Sequence, residues 1–205
     1  MKTKLSEKIA IVVSAVFNPV ILALFILIAS VYKSNIPTNI SYYWYGAILL
    51  LNIIIPGLVY IFFTKKGYVF DDELANEKVK KERIILLSLF LVVTVVEILV
   101  VRISGYIYQP LYAVLVGGAI SLVTASVISY FWKISMHSSG ITMFVLMFII
   151  IFGIKLWPIM GLIGLVWWAR LVLKRHNIWQ LIAGSLLSFL IVYFVFAYYD
   201  LIYLI

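Results

Sequence analysis

Long apolar runs separated by short polar breaks dominate the pattern along this chain. The first runs from Ile9 to about Val31, behind Lys2, Lys4 and Lys8, and further runs occupy Tyr42–Phe63, Ile84–Val101, Tyr106–Phe131, Ile141–Trp168 and Ile178–Tyr199. Each reaches at least about the 17–25 residues that a helix needs to cross the hydrocarbon of a bilayer. Backbone groups in lipid must bond internally, so the runs predict helices. The first is too long for the roughly 7–15-residue core of a cleaved signal peptide and is expected to stay as an uncleaved span.

The run Ile141–Trp168 decides the count of spans. Its 28 residues fit either one helix of about 42 Å or two short ones joined by a turn. Gly153, Lys155 and Pro158 sit at its middle. A lysine at the bilayer centre costs roughly 2.5–3.5 kcal/mol on insertion scales, and proline interrupts the helix ladder. A hairpin with Lys155 at the far interface is the cheaper arrangement. The expectation is an all-α integral membrane protein, a bundle of six to seven transmembrane helices, two of them short. Asn18-Pro19, and Asn52 with Pro56, predict kinks beside a polar partner. Gly117, Gly118 and Ser121, and later Ala183, Gly184 and Ser188, are small residues at helical spacing and predict close helix contacts.

Composition agrees with the pattern. Hydrophobic residues make up 65% of the chain and charged residues 12%, with a mean hydropathy of +1.17, whereas soluble domains are about half apolar and about a quarter charged. No linker, low-complexity tract or internal repeat divides residues 1–205, so one transmembrane domain is expected. Cysteine is absent, which excludes disulfides and thiolate metal sites.

Charge then suggests an orientation. If the loops alternate sides, one face carries Lys2, Lys4, Lys8, Lys65, Lys66, Lys78, Lys80, Lys81, Arg83, Lys133, Arg170, Lys174 and Arg175, and the other carries Lys33, Arg102 and Lys155. The positive-inside rule places the richer face in the cytoplasm, with the cell membrane as the expected location. Insertion and anionic lipid headgroups account for the net charge of +8 without nucleic acid.

The chemistry concentrates in two of the polar breaks. The chain has two histidines, and each lies in a cationic break: Lys133-Ile134-Ser135-Met136-His137-Ser138-Ser139-Gly140, and Arg170-Leu171-Val172-Leu173-Lys174-Arg175-His176. Histidine serves as nucleophile or acid near neutral pH, and arginine is a fixed receptor for phosphate oxygens. Arg170 is expected in a loop, His176 at the start of the last helix, and Gln180 one turn later on the same face. Free N–H groups at a helix start favour an anion there. Ahead of the third span, Lys78-Val79-Lys80-Lys81-Glu82-Arg83 forms a further cationic run.

These three segments, in this order, resemble the type 2 phosphatidic acid phosphatases, also called lipid phosphate phosphatases. That family's signature is a lysine six residues ahead of Arg-Pro, then Pro-Ser-Gly-His, then Ser-Arg, five residues, His, three residues, Asp. Ser135-Met136-His137 stands for Ser-Gly-His, and Ala169-Arg170, five residues, His176, three residues, Gln180 stands for the last segment. The resemblance covers about residues 78–184. It implies that His176 is the nucleophile that forms a phosphohistidine, that His137 is the general acid, that Gln180 orients His176, and that Arg170, Arg83, Lys80 and Ser135 bind the substrate phosphate. Phosphoryl transfer of this kind rests on positioning and charge stabilisation. The resemblance implies no metal and no cofactor, and a lipid phosphate or pyrophosphate, of phosphatidate or polyprenyl type, as substrate among the membrane lipids.

The chain departs from that signature at several places. Gln180 stands where the family has aspartate, and its amide oxygen accepts the same hydrogen bond without a negative charge. Ala169 replaces a serine, Met136 a glycine, Ile84 a proline and Asn76 the lysine, for which Lys80 or Lys81 stands at a shifted position. Two other readings follow from the residues: a non-catalytic relative that binds anionic lipid headgroups, favoured by Gln180, and a serine protease within the membrane using Ser139 and His176. Basic residues at span ends are also ordinary topology anchors. Glu97 is the one acid well inside a span, and its neighbourhood predicts a structural ion pair with Arg102 or Lys155.

Overall fold

The computed structural model describes residues 5–67, 77–105 and 107–202, without the side chains of 77–83. Its described residues are helical throughout apart from short turns, with no strand among them. The helices are α1 Leu5–Val16, α2 Pro19–Lys33, α3 Thr38–Leu49, α4 Ile55–Lys65, α5 Glu77–Ile103, α6 Leu111–Phe131, α7 Met136–Phe152, α8 Gly161–Val172 and α9 Ile178–Tyr198. A π-helical turn, Leu50–Ile54, joins α3 to α4, and a 3-10 turn, Ile154–Met160, precedes α8. Among the described residues, five helical stretches are long and apolar enough to cross a membrane, six when the bent pair α1 and α2 counts as one, and α7 is a shorter apolar helix.

The breaks in the apolar runs have local causes. The first run is two helices bent by 40°, because Pro19 starts α2 and the Asn18 side chain turns back to accept the Val20 N–H at 2.9 Å. The run Ile141–Trp168 divides at Gly153, whose φ of 108° lies where side chains are strained. The break falls where the sequence predicts one, around Gly153, Lys155 and Pro158. The run Tyr42–Phe63 stays helical. Pro56 brings no N–H to the carbonyls one turn before it, and the π turn absorbs the defect, with the Ile55 N–H bonded to the Leu50 carbonyl.

The chain forms two compact units. The first comprises Met1–Ile26 with Lys133–Ile205, and the second Leu27–Trp132. In the first, α7 lies between α8 and α9, and α1 packs on α8. Leu22, Ile141, Val145, Ile149 and Val166 form its apolar core. The contact of α7 with α9 is close and hydroxyl-rich. Ser138 Oγ donates to the Leu181 carbonyl at 2.7 Å, Ser139 Oγ lies 2.6 Å from Ser188 Oγ, and Ser185 Oγ meets Thr142 Oγ1 at 2.7 Å and the Trp167 indole at 3.2 Å. A Cβ on Gly184 would lie 2.7 Å from the Ser135 carbonyl oxygen, so only glycine permits this approach. The predicted role of Gly184 and Ser188 as contact residues is what the structure shows.

In the second unit α5 packs along α6, with Gly117 and Ser121 buried. Arg102 Nε donates to the Tyr112 hydroxyl at 2.7 Å. Glu97 takes its hydrogen bond from Asn52 Nδ2 at 2.8 Å, not from Arg102. Residues five apart on a helix point about 140° away from each other, so nearness in sequence does not make Glu97 and Arg102 partners.

Candidate functional site

Ser135 ends the extended segment before α7 and caps that helix: its Oγ accepts the Ser138 N–H at 3.3 Å. The cap sets His137 in the first turn of α7, where it is buried at 9% exposure. His137 Nε2 lies 3.3 Å from the Ser14 carbonyl oxygen of α1. A carbonyl only accepts, so Nε2 carries the hydrogen and donates.

The second histidine is held by a helix start. Asn177 caps α9 by accepting the Gln180 N–H at 3.0 Å, and Gln180 Oε1 accepts the Asn177 N–H at 3.2 Å. This reciprocal capping box fixes the Gln180 amide, whose oxygen also lies 3.0 Å from His176 Nδ1. Since Oε1 accepts, Nδ1 donates, and in the neutral ring the lone pair is then on Nε2. His176 is buried at 8% exposure.

Arg170 is in the last turn of α8, not in a loop. It is buried at 5% exposure. The helix continues two residues past Arg170, to Val172, and closes in a Schellman motif. The Arg175 N–H reaches the Arg170 carbonyl at 3.1 Å and the Lys174 N–H the Leu171 carbonyl at 3.0 Å, with Lys174 at φ 53°. The motif turns the chain within three residues from Arg170's helix toward His176.

One backbone bond ties the two histidine segments together: the Ser135 N–H donates to the Gln180 carbonyl at 3.3 Å. Ser135, His137, Arg170, His176 and Gln180 therefore all belong to the first unit, at the starts of α7 and α9 and the end of α8. Asp71, Asp72 and Glu73 lie outside the described residues, as do the side chains of Lys80 and Arg83, whose helix α5 belongs to the second unit. Ser139 is tied to Ser188, a partner with no role in activating a nucleophile. Among the described residues no group of three or more His, Asp or Glu side chains could hold a metal ion.

Sequence reasoning passes over Ser14, because its part is played by a backbone carbonyl from a helix distant in sequence. Asn177 is passed over as well, although Asn followed three residues later by Gln is a capping signature that points to it. No family model, no curated protein and no solved structure matches the chain.

Proposed function

We propose that the chain is an integral membrane protein that hydrolyses a lipid phosphate or pyrophosphate through a phosphohistidine on His176. Its long apolar helices support the membrane reading. The observation that carries the chemistry is the bond from His176 Nδ1 to Gln180 Oε1 at 3.0 Å, which turns the nucleophilic lone pair to Nε2. Nε2 attacks phosphorus, the bond from phosphorus to the leaving oxygen breaks, and a proton from His137 goes to that oxygen. Water then attacks phosphorus, its proton passing back to the now neutral His137, and the bond from phosphorus to His176 Nε2 breaks, which releases inorganic phosphate and restores both rings. The Arg170 guanidinium, fixed by its helix, stabilises charge on the phosphoryl oxygens. Because His137 Nε2–H faces the Ser14 carbonyl, the transferred proton comes from Nδ1 of the cationic ring.

The test is phosphate release from lipid monophosphates and diphosphates by the purified chain in detergent with a chelator. The reading predicts release by wild type and loss of release in His176→Ala. A chain that releases no phosphate from any of these substrates, while retaining them in a lipid-binding assay, supports a second reading: a headgroup-binding relative. The neutral amide of Gln180 in place of a carboxylate favours it, because imidazolium formation at His176 gains no counter-charge from Gln180.

A further inference from the structure

Glu97 is 1% exposed inside the apolar stretch of α5. Its Oε1 accepts the Asn52 amide at 2.8 Å, whereas Oε2, also buried, meets no hydrogen-bond partner among the described residues. A bare carboxylate with one neutral donor is a costly state in such surroundings. Its partner is placed by a built feature. Asn52 sits in the π turn Leu50–Ile54, four residues before Pro56, which brings no N–H to the turn preceding it. The same Asn52 amide donates to the Ile48 carbonyl at 3.2 Å, which fixes its direction toward α5. Thr94, on the Glu97 face of α5 one turn earlier, is 9% exposed and donates its hydroxyl hydrogen to the Phe90 carbonyl, leaving its oxygen lone pairs as acceptors.

We infer that Glu97 Oε2 is the receptor of a compact cation, a proton or a small alkali ion, held within the second unit beside the Asn52 amide. The inference does not rest on the phosphatase reading and shares no residue with it. Intramembrane carboxylates that lack a fixed counter-charge are suited to this work, since the cation itself removes the cost of burial. Of the elements packed against α5 here, the π turn has no titratable side chain. α6 has Tyr112 and Tyr130, of which Tyr112 is bonded to Arg102. No lysine or arginine of these elements competes for Glu97.

Infrared difference spectroscopy of the full chain in neutral lipid, with Glu97→Gln as reference, tests the inference. In choline buffer the wild type should show the carbonyl stretch of an un-ionised carboxylic acid, absent from Glu97→Gln. If that band survives added sodium and lithium, the ligand is a proton; if carboxylate bands replace it at constant pH, it is an alkali ion. Glu97 carboxylate bands that are present in choline buffer and unmoved by sodium or lithium overturn the inference. Should Glu97→Gln fail to fold, Asn52→Leu serves instead: loss of the amide donor to Oε1 moves the acid carbonyl stretch to higher wavenumber, and an unmoved spectrum overturns the assignment.

Discussion

His176 Nδ1 and Gln180 Oε1 are 3.0 Å apart, and that oxygen simultaneously accepts the Asn177 N–H at 3.2 Å. One neutral amide thus orients the proposed nucleophile and closes the first turn of α9. The two duties pull on the same atom, so a substitution at Gln180 changes reactivity and helix stability together.

Charge at that position separates the two duties. Gln180→Glu keeps the length and the capping box while adding a counter-charge, which also suits a helix N-terminus. Phosphate release should rise, while Gln180→Leu, which leaves the ring without its acceptor, should lower it by about a hundredfold. Parallel melting curves distinguish the causes: Glu preserves the melting temperature and Leu lowers it. A rate equal in all three chains would remove Gln180 from the chemistry.

Asn177→Ala tests the cap itself. Losing a side-chain N-cap costs about 1 kcal/mol, and here the lost bond is the one to the Gln180 backbone N–H, which anchors the residue whose amide orients His176. Thermal unfolding in detergent should show the loss, with a fall in phosphate release that Asn177→Asp restores. Loss of stability with unchanged release would confine Asn177 to a structural part.

How far the sequence disclosed this arrangement depends on the range over which each feature is encoded. The breaks at Asn18-Pro19 and Gly153 were legible because proline and glycine act on their own backbone, and the close approach of α9 was legible in Gly184 and Ser188. The continuation of α8 through Arg170 was not, since a Schellman turn with lysine at its left-handed position lacks the glycine that usually marks one. Two contacts were beyond reach for a different reason. Ser14 meets His137 through a backbone carbonyl, which no side-chain pattern records, and Glu97 meets Asn52 across helices 45 residues apart in sequence.

Lys174 carries strain that the sequence alone conceals. At φ 53° its Cβ crowds the following carbonyl, a conformation that costs a non-glycine residue roughly 1–2 kcal/mol. Lys174→Gly should raise the stability of the first unit by up to about 1 kcal/mol, part of the gain being offset by the freer unfolded chain. Lys174→Val should lower it. Melting temperatures of the three chains in one detergent check the order, and a valine chain as stable as wild type would contradict the left-handed turn.

The closest packing in the first unit makes the sharpest structural test. Gly184 has no room for a Cβ because the Ser135 carbonyl would lie 2.7 Å away, and that carbonyl belongs to the residue that caps α7 and positions His137. Gly184→Ala must therefore push α7 from α9, at an overpacking cost of about 1–3 kcal/mol, and it must disturb the Ser135 to Gln180 bond that joins the histidine segments. Gly164, which has nothing within 4 Å of its own Cβ position, is the control: Gly164→Ala in α8 should stabilise by about 0.5–1 kcal/mol through helix propensity. If the proposed chemistry requires the two segments in register, phosphate release falls in Gly184→Ala and is unaffected in Gly164→Ala. Equal melting temperatures for the two variants would show that α7 and α9 are not in contact at Gly184.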